Sequence, residues 1–188
     1  MQSAYKLSTF PGGATATDDH SISYLIDDNI ETLKQGVELI ARLDDRLYTQ
    51  PNRELSLSGV GAHFRHCIDF YHRFLTGIES GRINYDLRER DERLEQDRLF
   101  AIAKLDCLIA DLSRLSVTED DRVLEALLEG SSDSDWSISS LKRELQFLLS
   151  HTIHHYAVIA LALRSQRVEP GAEFGVAPLT LRHWRKTA

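Results

Sequence analysis

The sequence predicts an all-α protein built as a four-helix bundle, with a small hairpin before the last long helix. Three observations carry that expectation. Apolar residues recur at steps of three and four along four long stretches, the period of a helix with one buried face. Clusters of Gly, Pro, Ser and Asn separate those stretches. Five of the eight histidines sit in two short segments, His63-Phe64-Arg65-His66 and His151-Thr152-Ile153-His154-His155, on two of the helices. Bundles of this kind build ligand and metal sites from side chains on facing helices.

The first helix should begin near Ser21 or Ser23, either of which can act as N-cap. Its core stripe is Ile22, Ile26, Ile30, Leu33, Val37 and Ile40. Asp27, Asp28 and Glu31 put negative charge in the early turns, where the helix dipole favours it. Pro51-Asn52 ends the segment. The second helix runs from about Ser58 to Ile78, with Val60, His63, Cys67, Phe70, Phe74 and Ile78 on one face. Gly59 and Gly61 near its start point to close backbone packing, and Gly81 marks the exit. Residues 82–97 are densely and oppositely charged and read as a surface connection. The third helix covers about Leu94–Leu115, with Leu94, Ile102, Leu105, Ile109 and Leu112 on one side.

Residues 116–138 are ambiguous by period. Val123–Leu128 fits a short strand or a helical turn, Gly130–Asp135 a turn, and Trp136-Ser137-Ile138 alternates, which together suggest the hairpin. The fourth helix is capped by Ser139 or Ser140 and runs to about Arg164 on Leu141, Leu145, Leu148, Thr152, His155, Ile159 and Ala162. The tail is punctuated by Gly171, Gly175 and Pro178 and allows a short helix near Thr180. The expected organisation is a flexible segment over 1–20, the bundle over 21–165, and a tail over 166–188 packed on or near it.

The bulk numbers exclude several functions. A chain of 188 residues suits one domain with a single core. Its net charge of −7 disfavours a general nucleic-acid binder, whose affinity comes from neutralising phosphates. The longest apolar run, Tyr156–Leu163, is too short to cross a bilayer, and the first residues lack the pattern of a signal peptide, so the expectation is a cytoplasmic protein. Cys67 and Cys107 form no CxxC motif and read as buried, reduced thiols.

The histidines carry the chemistry. His151 and His155 are four apart in a strongly helical segment, so they share a face about one turn apart. His63 and His66, three apart on the second helix, can both lie near its inward face. One imidazole on a core face is usually just a hydrogen-bonded core residue. Several on facing core stripes would be costly to bury without partners, and one shared ion satisfies them all. The alternatives are a hydrogen-bonded histidine network or a proton relay.

The stretch His151-Thr152-Ile153-His154-His155-Tyr156 resembles the HxxHH motif of the DinB-like (DinB/YfiT) superfamily. Gly61-Ala62-His63-Phe64-Arg65-His66-Cys67-Ile68-Asp69-Phe70 resembles that superfamily's upstream histidine segment. The resemblance covers the helix order over most of residues 20–165. It implies a four-helix bundle whose metal ligands are His66, His151 and His155, with zinc or nickel as the metal. It also implies a metal-dependent enzyme that activates a low-molecular-weight thiol, as an S-transferase does, or water. Members with no known activity keep open a non-catalytic metal-binding or stress-response protein. The implied partners are a small-molecule substrate or thiol, and a second copy in a homodimer, with neither nucleic acid nor membrane.

One position departs from the pattern. Many members carry Glu five residues after the first ligand, and Tyr71 stands there. Asp69 is the candidate to replace it in orienting a ligand. His63 rivals His66 as the ligand and is otherwise an outer-sphere group, as is His154, which points away from the line joining His151 and His155. Glu144 is a further candidate to orient an imidazole. Tyr71 and Tyr156 are candidates to donate to substrate, and Arg65, Arg88, Arg90 and Arg143 to bind substrate carboxylates. His72 reads as surface, and no residue is assigned as catalytic.

Overall fold

The computed structural model describes residues 22–52, 58–115, 121–128, 132 and 135–187. The expectations for residues 1–20, the Ser21 cap and most of the Gly130–Asp135 turn fall outside these residues. Four long helices make the bundle: α1 (Ser23–Arg42), α3 (Val60–Ile78), α5 (Arg98–Leu115) and α6 (Leu141–Ser165). Shorter helices α2 (Asp45–Thr49), α4 (Arg93–Gln96) and α7 (Pro178–Thr187) fill the connections and the tail. Three short strands, β1 (Arg82–Asn84), β2 (Val123–Leu127) and β3 (Ser137–Ser140), form a small sheet.

The bundle is not wound in chain order. α1 packs on α5 and α6, and α3 packs on the same two, so α1 and α3 face each other across the diagonal. Their approach depends on Gly36. A Cβ there would lie 2.2 Å from Tyr156 Oη and 2.9 Å from Phe64 Cε1, so no other residue fits without displacing both rings. The core holds the expected apolar stripes: Ile26, Leu33 and Ile40 of α1, Phe70 and Phe74 of α3, Leu105 and Leu112 of α5, and Leu145, Leu148 and Ile159 of α6 are all buried. A buried polar thread also crosses it. Asn29 donates to the carbonyls of Leu25 and Leu145, and its Oδ1 accepts from Tyr71 Oη at 2.5 Å.

Local chemistry sets the helix ends. Ser140 is the cap of α6, its hydroxyl accepting from Arg143 N at 3.3 Å. The two amides before it are taken by the residues that lead into β2, Leu141 N by the Arg122 carbonyl and Lys142 N by the Asp121 carboxylate. The start of the histidine helix is therefore tied to the sheet. α1 departs from expectation: Ile22 occupies its cap position without a side-chain bond, and Ser23 is already helical. The expected first segment divides at Leu43-Asp44, where Asp44 caps α2 by accepting from Leu47 N.

Residues 82–97 are more structured than the sequence suggested. Ile83, Tyr85 and Leu94 are buried, anchoring β1, a 3₁₀ turn (Tyr85–Leu87) and α4, so the third long helix begins at Arg98 rather than Leu94. The hairpin is present as β2 and β3, antiparallel, with β1 added in parallel to β2. Cys67 is buried as expected, but Cys107 is exposed, because it lies on the outer side of α5, two residues from buried Leu105. α7 packs through Leu181 and through Arg182, which pairs with Asp28 of α1 at 2.7 Å.

Candidate metal centre

Two helices bring the histidines together. His66 sits on α3, and His151 and His155 sit one turn apart on the facing side of α6. Nε2 of His66 lies 3.1 Å from Nε2 of His151, and Nε2 of His155 lies 3.2 Å from the same atom. All three ligand nitrogens fall within 4.8 Å of one another. The three rings are partly buried.

Hydrogen bonds alone cannot satisfy this convergence. A neutral imidazole nitrogen has one proton or one lone pair, not both, yet Nε2 of His151 faces two other ring nitrogens. A shared cation meets every lone pair at once. Tetrahedral zinc, with Zn–N of about 2.0–2.1 Å, sets its nitrogens about 3.3 Å apart, close to the two short separations. The donor set therefore fits a divalent metal.

The electrostatics keep the imidazoles uncharged. Burial, with the neighbouring histidines and the Arg88 charge adding to it, lowers His66 to a pKa of about 4. Burial lowers His151 to about 4, helped by His154 and Arg88. His155 falls to about 3, from burial first and then the other histidines. At neutral pH all three are uncharged with a lone pair available.

An aromatic wall backs the site. Phe70, one turn beyond His66, packs 4.8 Å from its ring and 4.4 Å from that of His151. Phe147, one turn before His151, stacks on it at 5.5 Å. Tyr85 closes the wall against both phenyl rings. The Arg88 guanidinium lies 4.4 Å over Phe70 and donates to the Tyr85 carbonyl at 2.7 Å. In the sequence this wall shows only as the four-residue spacing of Phe70 from His66 and of Phe147 from His151.

The other candidates divide clearly. His63 does not join the converged nitrogens; its Nδ1 lies 3.0 Å from Nδ1 of His155, on the far side of that ring. His154 is exposed, its ring 5.3 Å from that of His155. Asp69 is buried among Arg65, Arg88, Glu89 and His72, and burial raises its carboxyl to about 6; it makes no hydrogen bond to the imidazoles. Glu144 is fully buried and engaged by Tyr85, Ser139 and Arg143, so it orients no histidine. Tyr71 and Tyr156 are also fully buried and present no hydroxyl to a substrate, Tyr71 having turned to Asn29. Arg65 pairs with Glu95 at 3.0 Å, Arg143 with Glu144, Arg90 is exposed, and His72 is a surface residue near Glu89. Burial pushes the Cys67 thiol up to about 12, which leaves it inert.

No family model matches the chain. A stretch of 108 residues is 35% identical to FK506-binding protein 5 of Rhizopus delemar, covering 55% of this chain and 28% of that protein. The chain thus spans just over a quarter of that relative's length. Among solved structures, YfiT from Bacillus subtilis matches with a TM-score of 0.64, over 85% of this chain and 95% of that one, at 15% identity. The chain shares the YfiT four-helix-bundle fold. YfiT is described as a probable metal-dependent hydrolase with an unusual four-helix bundle topology. No helix among the described residues is long and apolar enough to cross a membrane.

Proposed function

We propose that the protein is a metal-dependent hydrolase whose divalent ion, zinc or nickel, is held by His66, His151 and His155. The observation that carries this reading is the convergence of three uncharged Nε2 atoms on one point with no fourth protein ligand beside them among the described residues. Structural zinc sites are closed by four protein ligands, whereas catalytic ones keep a position open. His63, the residue placed to close the site, turns its Nδ1 to the back of His155 instead. The likeness to YfiT agrees with the reading.

When bound, the ion supplies a Lewis acid that brings the pKa of water toward neutrality. The residues do the rest. Three neutral donors leave the full positive charge of the ion undiminished. Phe70, Phe147 and Tyr85 exclude water from one side, which strengthens electrostatic interactions at the centre. Arg88, held over Phe70, adds positive charge where an anionic group of a substrate would lie.

Thiol activation is the second reading. The same uncompensated charge that favours hydroxide favours a thiolate as the exchangeable ligand, and the superfamily resemblance of the histidine segments supports it. A non-catalytic metal-binding protein is what remains if no exchangeable ligand exists. Cobalt-substituted protein separates the three. A visible spectrum that responds to azide, with metal-dependent cleavage of ester, amide or phosphoester substrates, supports the hydrolase. Saturable thiolate-to-metal charge transfer without such cleavage supports the transferase. A spectrum indifferent to both contradicts an open site.

A further inference from the structure

His155 uses both ring nitrogens. Its Nε2 belongs to the converged set, and its Nδ1 lies 3.0 Å from Nδ1 of His63. An imidazole that gives its Nε2 lone pair to a metal carries its proton on Nδ1. Only one group among the described residues receives that proton, the Nδ1 lone pair of His63. His63 must then be the Nε2–H tautomer, its Nε2 being buried with no hydrogen-bond partner among the described residues. The two ring centroids sit 5.2 Å apart with the planes tilted by 45°, an arrangement in which such a bond can form.

We propose that His63 is a positioning residue of the metal centre, accepting the Nδ1–H of His155 and so holding that ring with Nε2 turned to the ion. The proposal rests on the metal-centre reading. Metal-bound histidines usually donate this second proton to a carboxylate, a backbone carbonyl or water. Here the nearby carboxylates are elsewhere: Asp69 makes no hydrogen bond to the imidazoles, and Glu144 is held by Tyr85, Ser139 and Arg143. Nδ1 of His151 is buried with no hydrogen-bond partner among the described residues, so the His63 contact singles out His155. A neutral acceptor also has a chemical consequence. A carboxylate would draw the Nδ1 proton and push electron density onto the ion; a neutral imidazole does so less, which leaves the ion a stronger Lewis acid.

The test compares His63→Phe, which keeps a ring but removes the acceptor, with His63→Asn, whose Oδ1 can stand near the place of Nδ1. Zinc affinity is measured by competition with a chromophoric chelator. The proton on His155 is located by long-range ¹H–¹⁵N correlation in zinc-loaded wild type, a readout that needs no variant to fold. The expected result is a proton on Nδ1 of His155, an affinity loss of about 10–100-fold in His63→Phe, and recovery of most of it in His63→Asn. Unchanged affinity in folded His63→Phe, or ligation of His155 through Nδ1, overturns the assignment while leaving the metal site standing. Failure of wild type to bind zinc overturns both.

Discussion

Nε2 of His66 and Nε2 of His151 lie 3.1 Å apart although 85 positions separate them in the chain. Two neutral lone pairs at that distance repel unless a proton or a cation lies between them. The fold holds them there through features remote from the site: the α6 cap at Ser140, the sheet that anchors it, and the Gly36 approach that sets α1 against the other helices.

The low histidine pKa values make the metal-free protein acid-sensitive. In the unfolded chain these groups titrate near 6.5; in the fold His66 and His151 titrate near 4 and His155 near 3. Between those limits the unfolded state binds more protons. The stability these groups contribute is therefore full above about pH 6.5 and lost as the pH falls toward 3–4. Urea midpoints of metal-free protein should drop steadily from pH 7 to pH 4.5, and His155→Phe should flatten that slope. A midpoint constant across this range would contradict the electrostatic account.

Gly36 and Tyr156 should be coupled. Gly36→Ala gains helix propensity but forces its methyl against the Tyr156 hydroxyl and Phe64. Overpacking of this kind costs about 1–3 kcal/mol. Tyr156→Phe alone should be near neutral or stabilising, since its buried hydroxyl has no hydrogen-bond partner among the described residues. Because the hydroxyl is the nearest atom to the new methyl, the double variant should recover part of the Gly36→Ala loss. Strict additivity in a denaturation cycle would show that the contact does not limit packing.

Glu144 should act as the clamp between α6 and the segment after β1. It accepts from Tyr85 Oη at 2.8 Å and from Arg143 at 3.0 Å while fully buried. Glu144→Ala leaves the Tyr85 hydroxyl buried and unpaired and should cost about 2–3 kcal/mol. Tyr85→Phe should cost about 1 kcal/mol. Chemical denaturation of both variants checks this, and a Glu144→Ala loss below about 0.5 kcal/mol, the range of ordinary surface substitutions, would contradict it.

Much of this was legible in the sequence where period and chemistry agreed. The stripes of α1 and α6 and the i, i+4 pair His151/His155 were read correctly because a helical face repeats over many residues. Spacing does not separate His63 from His66, since both lie near the inward face of α3 and both rings meet α6; what separates them is the atom each one meets, Nε2 of His151 for His66 and Nδ1 of His155 for His63. The 82–97 segment was read as surface because Ile83, Tyr85 and Leu94 are isolated apolar residues among charges. A three-residue strand or a single turn has no period to detect. Cys107 was placed inside by its apolar neighbours, yet it sits two residues from Leu105, about 200° round the helix. Tyr71 and Tyr156 lie close to the candidate ligands in sequence but are fully buried in the core. Proximity along a helix says nothing about direction until the angle is counted.

The most direct test of the central claim is the metal content of protein purified without a metal-affinity step, measured by elemental analysis beside His155→Ala. The account predicts about one divalent ion per chain, lost in the variant while the helical circular dichroism is kept. No stoichiometric metal in the wild type, even after reconstitution with zinc or nickel, would contradict it and leave the converged imidazoles as a buried polar network.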